Sequence, residues 1–290
     1  MVVKLPETTE KVVENLLRLA NTKIPEDIGW ALEAAAEWET NKTAYSQIGA
    51  ILDNIRKAEH LGKPMCQDTG IPIFYVRGKF DSSISKDIAQ AVENCTRNIP
   101  MRPNTVDPFT RKNNGNNLGD GMPCIHYIPT DDDFTEISVM LKGAGSENMT
   151  KLRMLNPADG MEGVKKFIID SVLDAGGRPC PPGIVGVGVG GTADECVAMA
   201  KRALMEPLDH EDPDPFIKDL EEELFVKLNS SGLGPMGLGG NTTVLGVKVR
   251  KPACHTASLP VAVNIGCWAT RRASARITDS DVTYSQGAVL

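Results

Sequence analysis

Apolar residues near the start of the chain fall at helical spacing. Val12, Leu16, Leu19 and Ala20 share one face, and NKTAYSQIGAILDNIRKAEHLG repeats the pattern, so the first sixty residues are predicted to be helical. The continuous run IPIFYV then reads as a strand. SISKDIAQAVENCTRNI reads as a further helix, ended by Pro100, and the polar RKNNGNNLGDGMP as loop. EISVMLKG predicts another strand, with the loop GAGSENMTKLRMLNPADG after it. GMEGVKKFIIDSVLDAGG predicts a helix with a glycine stop. GIVGVGVGG suits a strand in close packing, and Thr192 with Glu195 forms a capping-box pattern for the helix that follows. In DPDPFIKDLEEELFVKLNSSG, Ile217, Leu220, Leu224 and Leu228 share a face, with Asp214 and Pro215 as the natural start. TTVLGVKVRKPACHTASLPVAVNIGCWATRRASARI reads as strands joined by turns. Helices and strands mix without a steady βαβ rhythm. The expectation is therefore an α+β fold of mixed helices and sheets with a helical N-terminal region. No repeat or strong linker divides the chain, so 1–290 is read as one domain.

Composition narrows the function classes. With 290 residues and 41% hydrophobic, the chain can bury a sizeable core. A formal net charge of −7 argues against nucleic acid and anionic membrane as partners. A small anion stays open, because a local group of Arg and Lys can outweigh the global sign. No apolar stretch is long enough to span a bilayer. MVVKLPETTEKVV lacks the apolar core of a signal peptide, which makes a cytoplasmic location the expectation.

The chemistry-bearing residues begin with seven cysteines. Their odd number, with a cytoplasmic location, argues against a disulfide framework, and no CxxC pair supports a zinc finger. Cys66, Cys180 and Cys267 lie at predicted element ends beside Gly or Pro. Cys95 and Cys196 fall within helices as core residues, and Cys124 and Cys254 flank strands without a clear role. Three thiolates from distant loops can hold an iron–sulfur cluster with one iron left without a protein ligand. Buried free cysteine is the competing account. GVGVGG at 186–191 matches G-x-G-x-x-G, but MEPLDHED, where a dinucleotide fold needs a strand ending in an acid, makes a poor core strand.

Neighbouring residues sharpen the first account. Gln67 and Asp68 adjoin Cys66, and Arg102 in MRPNTVDP can bind a carboxylate bidentately. The Gly143–Gly145 turn, with Ser146, Asn148 and Lys151, offers donors suited to an anion. Taken singly, Arg102 also fits a surface salt bridge and the glycines a tight turn.

Together CQDTG, MRPNTVDP, KGAGSEN, LNPADG, CPPG, PMGLGGN, HTASLPVA and GCWA resemble the iron–sulfur-dependent class I fumarate hydratases. The closer likeness is to the N-terminal half, or alpha subunit, shared with L(+)-tartrate dehydratase, from about residue 10 to about residue 285. The resemblance implies a [4Fe–4S] cluster on Cys66, Cys180 and Cys267, with an open iron as Lewis acid. It also implies substrate contacts from Gln67, Asp68, Arg102, Gly145, Asn148 and Lys151 within the loop to Arg153. Met149 departs from the lysine often found after the Asn, and Lys151 is the candidate to replace it. Asp68 matches a carboxylate that acts as an acid near the substrate hydroxyl, and His255 is implied to stand behind the cluster. The family's threonine base belongs to a C-terminal domain whose motif is absent here. A beta subunit in an α2β2 assembly is therefore the implied partner. Fumarate hydration is the leading implied activity and tartrate dehydration the second. An iron–sulfur carrier or sensor without substrate is the rival class, which would not need Asp68 and Arg102.

Overall fold

A computed structural model describes residues 7–99 and 101–287. The described residues divide into two compact units, one of 7–25, 54–99, 101–143 and 271–287, the other of 26–53 and 144–270. Both mix helices with sheet, so the α+β expectation holds. The N-terminal region is helical as expected, with α1 (Thr9–Thr22), α2 (Glu26–Trp38) and α3 (Lys42–Leu61). Among the described residues no helix is long and apolar enough to cross a membrane.

In the first unit a five-stranded sheet has the order β2-β1-β3-β8-β9. Its strands are β1 (Ile71–Gly78), β2 (Cys124–Ile128), β3 (Thr135–Lys142), β8 (Arg271–Ile277) and β9 (Val282–Ser285). Alternation sends Phe74 and Val76 of β1, Ile137, Val139 and Leu141 of β3, and Ala273, Ala275 and Ile277 of β8 into one core. That core is completed by Val12, Val13, Leu16 and Leu17 of α1 and by Ile88, Ala91, Val92 and Cys95 of α4 (Ile84–Asn98). Pro100, expected to stop α4, lies outside the described residues.

In the second unit a four-stranded sheet has the order β4-β7-β5-β6. It is built of β4 (Lys151–Leu155), β5 (Gly183–Val189), β6 (Val244–Arg250) and β7 (Leu259–Ile265). Here GIVGVGVGG resolves by period two. Val185 and Val187 join Val261, Val263 and Ile265 against α6 (Gly160–Ala175) and α8 (Pro215–Asn229). Gly186 and Gly188 face α7 (Ala193–Ala203), where an added Cβ would stand 2.1 Å from the Ala200 carbonyl oxygen and 2.2 Å from that of Cys196. The glycines therefore serve close helix–strand packing.

Two local expectations need correction. Thr192 is the N-cap residue of α7, yet its side chain makes no capping bond. The capping box with Glu195 therefore does not form. The stretch GAGSENMTKLRMLNPADG is not all loop, since it holds the short helix α5 (Ala144–Glu147), β4 and a 3-10 turn at Pro157–Asp159. By contrast α8 starts as expected, with Asp214 accepting from the Phe216 N–H at 3.0 Å.

A buried acid in the second unit gives a pH prediction. Glu221 on α8 accepts from the Val249 N–H at 2.8 Å and lies 3.6 Å from Lys248 Nζ. Burial nevertheless pushes its carboxyl up from 4.5 to about 7. A raised acid binds more protons folded than unfolded between those values, so its contribution to stability declines as pH rises from about 4.5 to about 7. Thermal melts of Glu221→Gln across that window should show a smaller fall in Tm with rising pH than wild type. An unchanged slope would exclude Glu221 as its source.

Candidate active site

The CQDTG loop leads into β1 within the first unit. Its approach is pinned at Met65, whose N–H donates to the Asn21 carbonyl at 3.0 Å and whose carbonyl accepts from Asn54 Nδ2 at 2.7 Å. Cys66 is half-buried. Asp68 Oδ1 accepts from the Gly70 N–H at 2.9 Å and from Asn104 Nδ2 at 3.0 Å. Gly70 has φ +79°, and a Cβ there would stand 2.8 Å from the Leu141 carbonyl carbon. Only glycine fits so close to β3 in that conformation.

The MRPNT loop is sewn to this turn. The Arg102 N–H donates to Thr69 Oγ1 at 2.9 Å, and the Arg102 carbonyl accepts from Thr69 Oγ1 at 3.3 Å and from Asn117 Nδ2 at 3.1 Å. Asn117 Oδ1 accepts from the Asn104 N–H at 2.7 Å. Thr69 and Asn117 are buried. The backbone that carries Arg102 is thus fixed, while its side chain is exposed and has no ion pair among the described residues. The exposed Gln67 side chain lies in the same loop as Asp68. Thr69, Asn104 and Asn117 escaped the reading of the sequence, although the first two stand inside quoted motifs. Their role is visible only as hydrogen bonds between segments 13 to 36 residues apart.

The second unit carries the remaining candidates. The turn expected at Gly143–Gly145 continues as α5, and the Asn148 N–H is taken up by the Ala144 carbonyl at 2.9 Å. Asn148 and Gly145 are exposed. Lys151, on β4, points its Nζ at Asp174 at 2.6 Å, so its charge is already engaged. Cys180 is exposed, with φ 56°, and its N–H closes a turn to the Gly177 carbonyl at 3.1 Å. Cys267 is half-buried, and the next residue, Trp268, donates its N–H to the Cys180 carbonyl at 3.1 Å. The two cysteine turns therefore adjoin. His255 is exposed, and its Nδ1 accepts from the Ala257 N–H at 3.1 Å.

The thiols divide by environment. Burial pushes Cys95 up to about 12 and Cys196 up to about 11, which keeps both protonated and unsuited as ligands. Cys66, Cys180 and Cys267 all retain exposure, and no disulfide joins any of the seven. These three thus fit the soft donor set that an iron–sulfur cluster needs. Among the described residues no three His, Cys, Asp or Glu side chains are gathered as around a metal ion.

The family model for fumarate hydratase (Fumerase) matches residues 10–276. The chain belongs to the fumarate hydratase family. Its reaction class is accordingly that of a hydro-lyase. A protein of Methanocaldococcus jannaschii provisionally named L(+)-tartrate dehydratase subunit alpha is 44% identical over 274 residues, covering 92% of this chain and 96% of the relative. The L(+)-tartrate dehydratase subunit alpha of Escherichia coli strain K12 is 34% identical over 280 residues, covering 94% and 92%. The Asp68–Asn104–Arg102 arrangement is polar and stands on fixed backbone.

Proposed function

We propose that the chain is the alpha subunit of an iron–sulfur hydro-lyase that works on a four-carbon dicarboxylate together with a beta subunit. The observation that carries this reading is the Asp68 carboxylate, held by Gly70 and Asn104 two residues from the half-buried thiol of Cys66 and sewn to the Arg102 loop. A carrier of iron and sulfur has no use for such a clamp. Cys66, Cys180 and Cys267 would hold a [4Fe–4S] cluster, and when bound it supplies a Lewis acid at the iron without a thiolate.

The chain's own residues would do the rest. Arg102 binds and orients a carboxylate with its planar fork. Asp68 delivers a proton at the substrate hydroxyl as it leaves, and Gln67 adds an amide donor beside it. Asn104 keeps the Asp68 carboxyl from rotating. Fumarate hydration to malate is the leading reaction. The names carried by the relatives favour L(+)-tartrate as the second substrate to test, and they support a beta subunit as partner.

The deciding experiment is anaerobic reconstitution with iron and sulfide, addition of the beta subunit, and comparison of malate with tartrate dehydration. Turnover of either acid is the expected result, and turnover of neither would refute the reading. In that complex Arg102→Lys should raise KM and lower kcat/KM by roughly 10- to 100-fold, as losing a charge-assisted hydrogen bond does. An Arg102→Lys variant with wild-type KM would remove Arg102 from the site.

A further inference from the structure

β5 and β6 are parallel neighbours in the second unit, so the chain enters both at the same end of the sheet. The turn RPCPPG, which carries Cys180, enters β5, and the loop PMGLGGN enters β6. The two segments meet backbone to backbone. The Met236 N–H donates to the Pro181 carbonyl at 2.8 Å. A Cβ built on Gly177 would stand 2.6 Å from the Met236 carbonyl oxygen, and one built on Gly237 would stand 2.8 Å from the Gly177 Cα. A side chain at either position would part the two segments.

Each segment holds a non-glycine residue in the left-handed region at this contact, Cys180 with φ 56° and Met236 with φ 55°. That conformation is costly for an L-residue and persists where the surroundings over-determine it. The loop around Met236 does so by closing on itself. The Gly237 N–H donates to the Gly234 carbonyl at 3.0 Å, and the Gly239 N–H to the Leu233 carbonyl at 2.9 Å. Its exit is anchored by the buried Glu39, whose Oε2 accepts from the Asn241 N–H at 2.8 Å. The cysteine turn has fewer means of its own. Pro179, Pro181 and Pro182 have no N–H, and the Cys180 N–H is turned inward to the Gly177 carbonyl. A neighbouring backbone therefore grips this stretch by its carbonyls. Trp268 takes that of Cys180, and Met236 takes that of Pro181.

We propose that the PMGLGGN loop is the positioning element for the Cys180 ligand, with the Met236 N–H and the Gly177–Gly237 contact holding the cysteine turn in its left-handed conformation before iron arrives. This rests on the iron–sulfur reading above and gives a role to a motif that reading leaves unused.

The test loads the full chain anaerobically with iron and sulfide and follows release of iron to a chelator. Gly237→Ala and Gly239→Ala place the same methyl on left-handed residues of one loop, at φ +73° and +87°. At 237 the methyl runs into the cysteine turn, whereas at 239 it stands 3.5 Å from Asn41 Nδ2, an ordinary contact. Both variants should lower Tm, so release is read well below the lower of the two. Gly237→Ala should release iron roughly 10- to 100-fold faster than wild type, the usual cost of a lost supporting contact at a metal site. Gly239→Ala should release it at the wild-type rate. Equal release from the two variants overturns the proposal. Should Gly237→Ala not fold, Met236→Val and Met236→Asn decide. Both lose the thioether, but a β-branched side chain resists the left-handed region and asparagine tolerates it. Met236→Val should then lose iron faster while Met236→Asn keeps the wild-type rate, and equal rates overturn the proposal. If the wild-type chain takes up no iron, the iron–sulfur reading and this inference fail together. If it holds iron and the paired variants release it alike, only the inference fails.

Discussion

Serine at Cys66, Cys180 or Cys267 should each strip the anaerobically reconstituted protein of iron and reduce turnover of the complex to background. A hydroxyl is a far poorer ligand for iron than a thiolate, and with three protein ligands none is spare. Wild type should carry about four irons per chain, as a [4Fe–4S] cluster requires. Two controls separate ligand loss from damage to the fold. Cys254 is exposed and donates to the Ser258 carbonyl at 3.3 Å, so Cys254→Ser should keep both iron and stability. Cys95 is buried in the core of the first unit, so Cys95→Ser should keep iron but lose about 1–3 kcal/mol of stability from a hydroxyl poorly satisfied there. Equal iron in all five variants would reject the ligand set.

What the sequence made legible follows from how each signal arises. α1 and α8 bury one stripe each, and their apolar positions show it directly. β1 is buried along nearly its whole length and reads as an unbroken apolar run. The strands that went unread are edges. β4 exposes Leu152 and Met154 and pairs only with β7, and β2 is short and mostly half-exposed. Neither has the burial that produces a pattern. The site divides in the same way. Cys66, Asp68 and Arg102 were legible because their residue types carry chemistry in a recognisable context. Asn104 and Asn117 act through bonds to backbone and side chains of distant loops, and an asparagine in a polar loop gives no sign of that. On β8, Arg271 stood in plain view in ATRRASARI. Period two shows that it alternates with Arg272, but not that its Nε and Nη1 are buried without an acceptor among the described residues. Lys151 is the opposite case, since its charge suits an anion by type while the fold spends it on Asp174.

Asp68→Asn should lower kcat of the reconstituted complex by about 10²- to 10⁴-fold, the usual cost of removing a positioned proton-transfer group. The substitution is close to isosteric, and the geometry says what it leaves intact. An asparagine oxygen at the Oδ1 position can still accept from the Gly70 N–H and from Asn104 Nδ2, so the turn keeps its hydrogen bonds. Iron content and Tm should therefore stay near wild type while proton delivery is lost. Loss of iron together with activity would instead mean that Asp68 supports the Cys66 loop. Asn104→Ala separates the two roles further. It removes the donors to Asp68 Oδ1 and to the Gly70 carbonyl while sparing the carboxyl itself. A carboxyl that keeps its chemistry but gains rotational freedom should lose rate by less than Asp68→Asn, roughly 10- to 100-fold on the scale typical of a lost supporting contact. Adding Asn104→Ala to Asp68→Asn should then cost little more than Asp68→Asn alone, because positioning no longer matters once the proton donor is gone. Fully additive losses would show that Asn104 serves the reaction by some route other than Asp68.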